Sequence, residues 1–262
     1  MRLLELQSDG SFCLTANLLD GDLPRYSILS HTWGDDGEEV SYEDLMEGSG
    51  REKPGYRKIR FCAERAASDG LRHFWVDSCC IKKSSDAELS EAINSMFRWY
   101  NGAAKCYVYL SDVSALGTEE KDQNSQNTWE PAFRRSRWFS RGWTLQELLA
   151  PISVEFFSKE AIRLGEKQLL AQQIHEITGI SISALLGRPL REFTVHDRML
   201  WAANRKTKRE EDMAYSLLGI FDIHIPIIYG EGIKDARRRL LKEIHETSAC
   251  KSPVKYPTRQ SN

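Results

Sequence analysis

The sequence predicts an α/β fold, a parallel sheet flanked by helices, and three observations carry the prediction. Short runs rich in aromatic and β-branched residues alternate with segments whose apolar residues recur at spacings of three and four. The first pattern belongs to strands and the second to amphipathic helices. Strand follows helix in regular order, as in βαβ units. Capping and breaking residues stand where the helical patterns begin and end.

Taken in order, "RYSILSHTWG" (25–34) reads as a strand running into a polar loop. "PGYRKIRFCAERAASDG" (54–70) is helical, with Ile59, Cys62, Ala63 and Ala66 on one face, Pro54 near its start and Gly70 at its end. "RHFWVDSCCI" (72–81) is a second strand. Residues 84–103 form a strong helix, with Ser85 and Glu88 spaced as a capping box and Leu89, Ile93, Met96, Phe97 and Tyr100 on its apolar face. "KCYVYLSDV" (105–113) is the third strand. The polar stretch 114–131 reads as a surface loop. "RWFSRGWTLQELLAP" (137–151) reads as a helix stopped by Pro151, which would place Trp143 and Glu147 on one face. A strand (152–158) and a helix (166–179) follow. Residues 181–246 read as further helices whose apolar face is Leu200, Trp201, Ala214, Leu217 and Leu218. The tail 247–262 is polar, carries two prolines and reads as disordered.

Composition narrows the function. The 262 residues carry 36 Lys+Arg against 38 Asp+Glu, so no global charge favours nucleic acid or an anionic membrane. No apolar run approaches the roughly 20 residues of a membrane span, and the N-terminus lacks a signal peptide's apolar segment. A cytoplasmic location follows as the default expectation. The six cysteines form no C-x-x-C pair and no zinc-finger spacing. Reduced structural thiols are therefore expected, with a reactive site at Cys79 or Cys80 as a weaker alternative. There is no G-x-x-x-x-G-K-[ST] loop. "IPIIYGEGIKDA" places Asp235 where a dinucleotide fingerprint needs glycine, and "HEITG" lacks a second histidine. No metal and no tightly bound cofactor are expected.

In open α/β sheets ligands bind beyond the carboxyl ends of the strands. The loops to search are therefore 30–34, 77–80 and 111–113, with the helix carrying Glu147. Glu is usually exposed, so statistics alone make Glu147 a surface residue. Asp77 divides evenly between capping its own loop and binding a substrate. His31 reads as a hydrogen-bonded loop histidine before it reads as an acid or base. Arg141 suits either an acid on the sheet rim or a phosphate.

"YSILSHTWG", "WVDSCCIKKSSDAELSEAINSMFRWY", "CYVYLSDV", "SRWFSRGWTLQELLAP" and "DMAYSLLGIFDIHIPIIYGEG" stand in the order typical of the fungal heterokaryon-incompatibility (HET) domain, which this chain resembles from about residue 1 to about 246. The family usually shows an aspartate just after the CCI block, where this chain has Lys82. HET domains look like distant relatives of TIR domains, so the resemblance implies a flavodoxin-like core over about 1–180 with a helical extension over 181–246. It maps the TIR strand ends onto Ser30, Asp77 and Ser111, and the W-x-x-x-E helix onto Trp143 and Glu147. In catalytic TIR domains that glutamate is essential for cleaving NAD⁺.

The resemblance reverses the order of readings for Glu147. It implies an NAD⁺ nucleosidase, with NAD⁺ as substrate, activated by assembly into a homo-oligomer or filament and driving programmed cell death. A nucleotide-binding receptor domain is an implied partner. Glycosidases ordinarily need two acids, but nicotinamide departs neutral, so one carboxylate can orient the ribose and stabilise developing positive charge. Trp143 or Trp33 could stack on a base, while Ser30, His31 and Gly34 could bind ribose or phosphate, Gly34 by letting the backbone approach. The competing reading is a non-catalytic signalling and oligomerisation module.

Overall fold

A computed structural model describes residues 1–116 and 128–250. Seven strands form one sheet: β1 (Leu4–Leu6), β2 (Phe12–Leu14), β3 (Tyr26–His31), β4 (His73–Trp75), β5 (Lys105–Tyr109), β6 (Val154–Phe157) and β7 (Arg163–Glu166). Their spatial order is β2-β1-β4-β3-β5-β6-β7. The four central strands β4, β3, β5 and β6 are parallel, and antiparallel strands close both edges. All six residues of β3 are buried, as a parallel strand covered on both faces requires.

Helices α1 (Tyr42–Glu47), α2 (Pro54–Ser68) and α3 (Asp86–Gly102) follow the first strands. Pro54 sits in the first turn of α2, where its missing N–H costs nothing. Ile59, Cys62, Ala63 and Ala66 are buried as expected. Side chains alternate across a strand, and the alternation sorts the core. Tyr107 reaches Asp69 at the end of α2, and Phe157 meets Phe61 of α2 edge-on. Trp75 and Tyr26 instead meet α3, at Tyr100 and at the Trp99 carbonyl. The sheet is therefore covered by α2 on one face and α3 on the other.

The remaining helices are α4 (Glu130–Arg134), α5 (Thr144–Leu149), α6 (Ala171–Thr178), α7 (Ile182–Leu185), α8 (Val195–Leu200), α9 (Asp212–Tyr215), α10 (Leu218–Phe221) and α11 (Gly232–Cys250). The C-terminal part is helical, and Trp201, Ala214, Leu217 and Leu218 are buried. Leu200 is 54% exposed and leaves the predicted apolar face. Helix α11 runs four residues into the predicted disordered tail; the rest of that tail, and most of the predicted 114–131 loop, lie outside the described residues.

Four other expectations change. The N-terminal hairpin β1–β2 was not anticipated. The second strand is short, because the Cys79 and Cys80 amides both turn back onto the Val76 carbonyl. Arg163–Glu166 is an edge strand, so the next helix starts only at Ala171. The expected continuous helix over 137–151 is broken. Arg137–Ser140 is a 3-10 turn, α5 starts at Thr144, and between them the chain pairs with the C-terminal extension. The Gly142 amide donates to the Lys206 carbonyl at 2.8 Å, and the Lys206 amide to the Ser140 carbonyl at 2.7 Å. Any side chain at 142 would collide with Thr207, 2.4 Å from an added Cβ.

Candidate active site

The carboxyl end of β3 lies where the parallel order turns back, with β4 on one side and β5 on the other. In sheets of this kind that crevice is the usual ligand position. Helix α5 passes beside it with all six residues buried, and Glu147 is 6% exposed. Glu147 is thus no surface carboxylate. Trp138 Nε1 donates to Ser30 Oγ at 2.8 Å, and the Ser30 hydroxyl donates to Glu147 Oε2. This chain of donors directs protons at the carboxylate and offsets part of its desolvation. Burial, reinforced by the negative charge of Asp77, pushes the Glu147 pKa up to about 8; Ser30, Tyr100 and the Arg141 charge oppose the rise.

His31 is the next residue of β3 and so points to the opposite face. Its Nε2 lies 3.4 Å from Glu39, and its Nδ1 lies 3.9 Å from Asp77. Lys58 of α2 completes this second cluster, donating to Glu39 and, at 3.1 Å, to the Thr32 carbonyl. Burial alone would raise the Glu39 pKa, but His31 and Lys58 hold it well below the usual carboxylate range. Asp77, on the turn after β4, links the two faces. Its Oδ2 accepts from Trp33 Nε1 at 2.9 Å, while its buried Oδ1 has no hydrogen bond. Lys83 lies 3.8 Å over the Trp33 ring, and burial lowers its pKa against the attraction of Asp77.

Ser30 and Glu147 therefore meet, and the charges of Asp77 and Arg141 act on the carboxylate. His31 and Trp33 stand across the sheet rim and share Asp77 with them. One assignment needs correction. Trp143 precedes α5 and its Nε1 donates to Asp212 at 3.2 Å, so it faces the extension and not Glu147. At Gly34 an added Cβ would meet the flexible end of the Glu38 side chain, with Oε2 at 2.0 Å.

Sequence reasoning missed Glu39, Lys58 and Arg205. Lys58 stands beside Ile59 and four residues before Cys62, so the buried face of α2 includes a lysine, and a buried lysine asks for an acid. Arg205 is 4% exposed; its Nη1 donates to the Arg141 carbonyl and to Thr144 Oγ1, both at 2.9 Å, and its Nη2 has no partner. Burial lowers its pKa to about 10, and the charge of Glu147 opposes that. Nothing in the local sequence marks it. Cys62, Cys79, Cys80 and Cys106 are buried and burial raises the pKa of Cys62, Cys79 and Cys106, which removes the support for a thiol site at Cys79. Among the described residues no group of three or more His, Cys, Asp or Glu could hold a metal ion, and no helix is long and apolar enough to cross a membrane.

A cleft of about 960 Å³ lies elsewhere, between α3 and the C-terminal helices, and none of the predicted site residues lines it.

Residues 26–130 match the sequence profile of the family described as heterokaryon incompatibility protein (HET). The chain is 57% identical over 250 residues to a Podospora anserina protein named vegetative incompatibility protein HET-E-1. The match covers 95% of this chain and 18% of that protein. No solved structure matches. Matched over 95% of its own length by that relative and over residues 26–130 by the family profile, this chain belongs to the heterokaryon-incompatibility (HET) domain family.

Proposed function

We propose that this chain hydrolyses the nicotinamide–ribose bond of NAD⁺, with Glu147 as the catalytic carboxylate, when copies of it assemble. The observation that carries the reading is Glu147 itself: a buried carboxyl group beside the carboxyl end of the first parallel strand, hydrogen-bonded by Ser30, with its pKa raised by burial. A carboxyl held at a raised pKa in a ligand-binding position is what a functional site brings and a packing role does not need. The parallel strands run second, first, third, fourth across the sheet, the order of flavodoxin-like folds, which supports a TIR-like core.

In this reading the ribose hydroxyls meet Glu147 and the cationic nicotinamide approaches the Asp77–Glu147 pair. A cation there favours the ionised carboxylate and lowers its pKa. The ionised Glu147 then stabilises positive charge on the ribose as the neutral nicotinamide leaves. In the same reading Arg141 receives a phosphate and the Trp33 ring, whose Nε1 donates to Asp77, stacks on a base. Because Glu147 is nearly enclosed, the site has to open, and contact between copies of the chain is the step that opens it. The relative's name points to vegetative incompatibility, so the outcome of hydrolysis is cell death by NAD⁺ depletion in the cytoplasm. A nucleotide-binding receptor domain elsewhere in a longer protein would control assembly.

The same burial favours a second reading, a non-catalytic signalling and oligomerisation module in which Glu147 only shapes the core. Nicotinamide release from NAD⁺ by concentrated protein, beside Glu147→Gln, separates the two. Release that disappears in the folded variant supports the nucleosidase. Assembly without release, equal in both proteins, leaves the module.

A further inference from the structure

The cleft of about 960 Å³ is unrelated to Glu147 and has a lopsided charge. Arg98, Lys167, Arg188, Arg191 and Arg198 line it, against Asp222 as the one carboxylate among its described lining residues. These cations come from α3, the turn before α6, the segment after α7, and α8, so the fold gathers them from separate stretches.

Several cations outside the cleft meet a carboxylate. Lys58 meets Glu39, Arg163 meets Glu155 and Arg239 meets Glu231. In the cleft Arg188 does the same with Glu192, 2.7 Å away, whereas Lys167, Arg198 and Arg191 do not. Lys167 is 2% exposed, yet its Nζ meets only the Leu148 and Pro151 carbonyls, at 3.0 and 2.6 Å. Arg198 lies 4.5 Å over the Phe221 ring and donates to the Ile220 carbonyl at 3.1 Å, with no ion pair among the described residues. Arg191 is exposed and likewise unpaired. Burial lowers the pKa of Lys167 to about 8 and lowers that of Arg198 too. Desolvated cations without a counter-charge are unfavourable, and an incoming anion relieves that penalty.

The volume falls within the roughly 300–1,000 Å³ of small-molecule sites, and Phe97 and Phe221 add apolar wall beside the cations. Guanidinium groups suit planar, bidentate recognition of phosphate oxygens. From this we infer that the cleft binds an organic polyphosphate of nucleotide type, its phosphates among Arg191, Arg198 and Lys167 and its organic group against Phe97 and Phe221.

The test is calorimetric titration of the purified chain with ATP and with inorganic triphosphate, using wild type, Arg191→Ala, Arg198→Ala and, as a control outside the cleft, Arg237→Ala. Arg191→Ala removes an exposed, unpaired side chain and keeps the fold. ATP is expected to bind several-fold more tightly than triphosphate. Either cleft substitution is expected to weaken ATP by about tenfold or more, the effect of losing a charge-assisted hydrogen bond. Arg237→Ala and Glu147→Gln are expected to leave ATP binding unchanged, so this inference and the nucleosidase reading fail separately. Absence of binding by both probes overturns the inference, as does binding indifferent to the two cleft substitutions. Triphosphate binding as tightly as ATP overturns the role of the aromatic wall. An acidic peptide that displaces ATP from the cleft and binds more tightly makes it a protein-docking site instead.

Discussion

Replacing Glu147 by glutamine tests whether the buried carboxyl is a liability that the fold carries for a site. Its pKa rises from 4.5 to about 8, through burial and the charge of Asp77. A carboxyl whose pKa is higher folded than unfolded stabilises the native state fully below the lower value, and that contribution is lost as pH rises through the higher one. Between 4.5 and about 8 the folded chain holds a proton that the unfolded chain has released. Each pH unit in that window costs about 1.4 kcal/mol, or about 5 kcal/mol across it. Whole domains have only about 5–15 kcal/mol of stability. Glutamine keeps the shape and accepts the Ser30 hydrogen bond, but does not titrate. Urea unfolding is expected to give the two proteins similar stability near pH 5, with Glu147→Gln the more stable by several kcal/mol near pH 8.5. Stability curves that run parallel between those pH values would refute the argument, because they would mean that Glu147 is ionised in the native state throughout.

The second cluster behaves oppositely. Glu39 is held low by His31 and Lys58, so its contribution is present above its unfolded value of 4.5 and lost as pH falls below it. Glu39→Gln is expected to flatten the acid limb of the stability curve. Lys58→Met leaves Glu39 buried beside His31 alone and is expected to cost about 3 kcal/mol in urea unfolding; a loss too small to measure would mean that the pair contributes nothing. Alkylation followed by mass analysis, in a Cys250→Ser background, should label exposed Cys13 under native conditions and spare Cys62, Cys79, Cys80 and Cys106 until denaturant is added. Rapid native labelling at Cys79 or Cys80 would restore the thiol reading. Gly142→Ala forces a Cβ to within 2.4 Å of Thr207 and should destabilise by about 1–3 kcal/mol, visible as a lower thermal midpoint.

The α/β alternation was legible because each central element carries its own period: burial along all of β3, and the three-and-four spacing of Ile59, Cys62, Ala63 and Ala66 on α2. The edges were not. β1, β2 and β7 have three, three and four residues, too few to establish a period. The break before α5 was hidden because its cause, the pairing of 140–142 with Lys206, lies about sixty residues downstream. Of the candidate site, the strand-end residues Ser30, His31 and Asp77 were legible from position alone. Glu147 was legible only through the family resemblance, since local pattern gives a helical glutamate no sign of burial. Trp143 was misplaced by assuming an unbroken helix. Arg205 was invisible because its partners are backbone carbonyls and Thr144, which leave no charge pattern in the sequence.

The stitch between Arg141 and Lys206, with Arg205 beneath it, bears on how this protein can be dissected. A fragment ending near residue 180 would retain every strand but would strip Thr144 and the Arg141 carbonyl of Arg205, and Trp143 of Asp212. A fragment cut to the profile match at 26–130 would lack β6 and the whole of α5. Neither limit marks a unit that stands alone, so limited proteolysis should produce no stable sheet-only remnant, and heat should melt sheet and C-terminal helices together in one transition. Expression boundaries and domain transplants are best drawn outside α11, leaving the helical layer attached to the strands it secures.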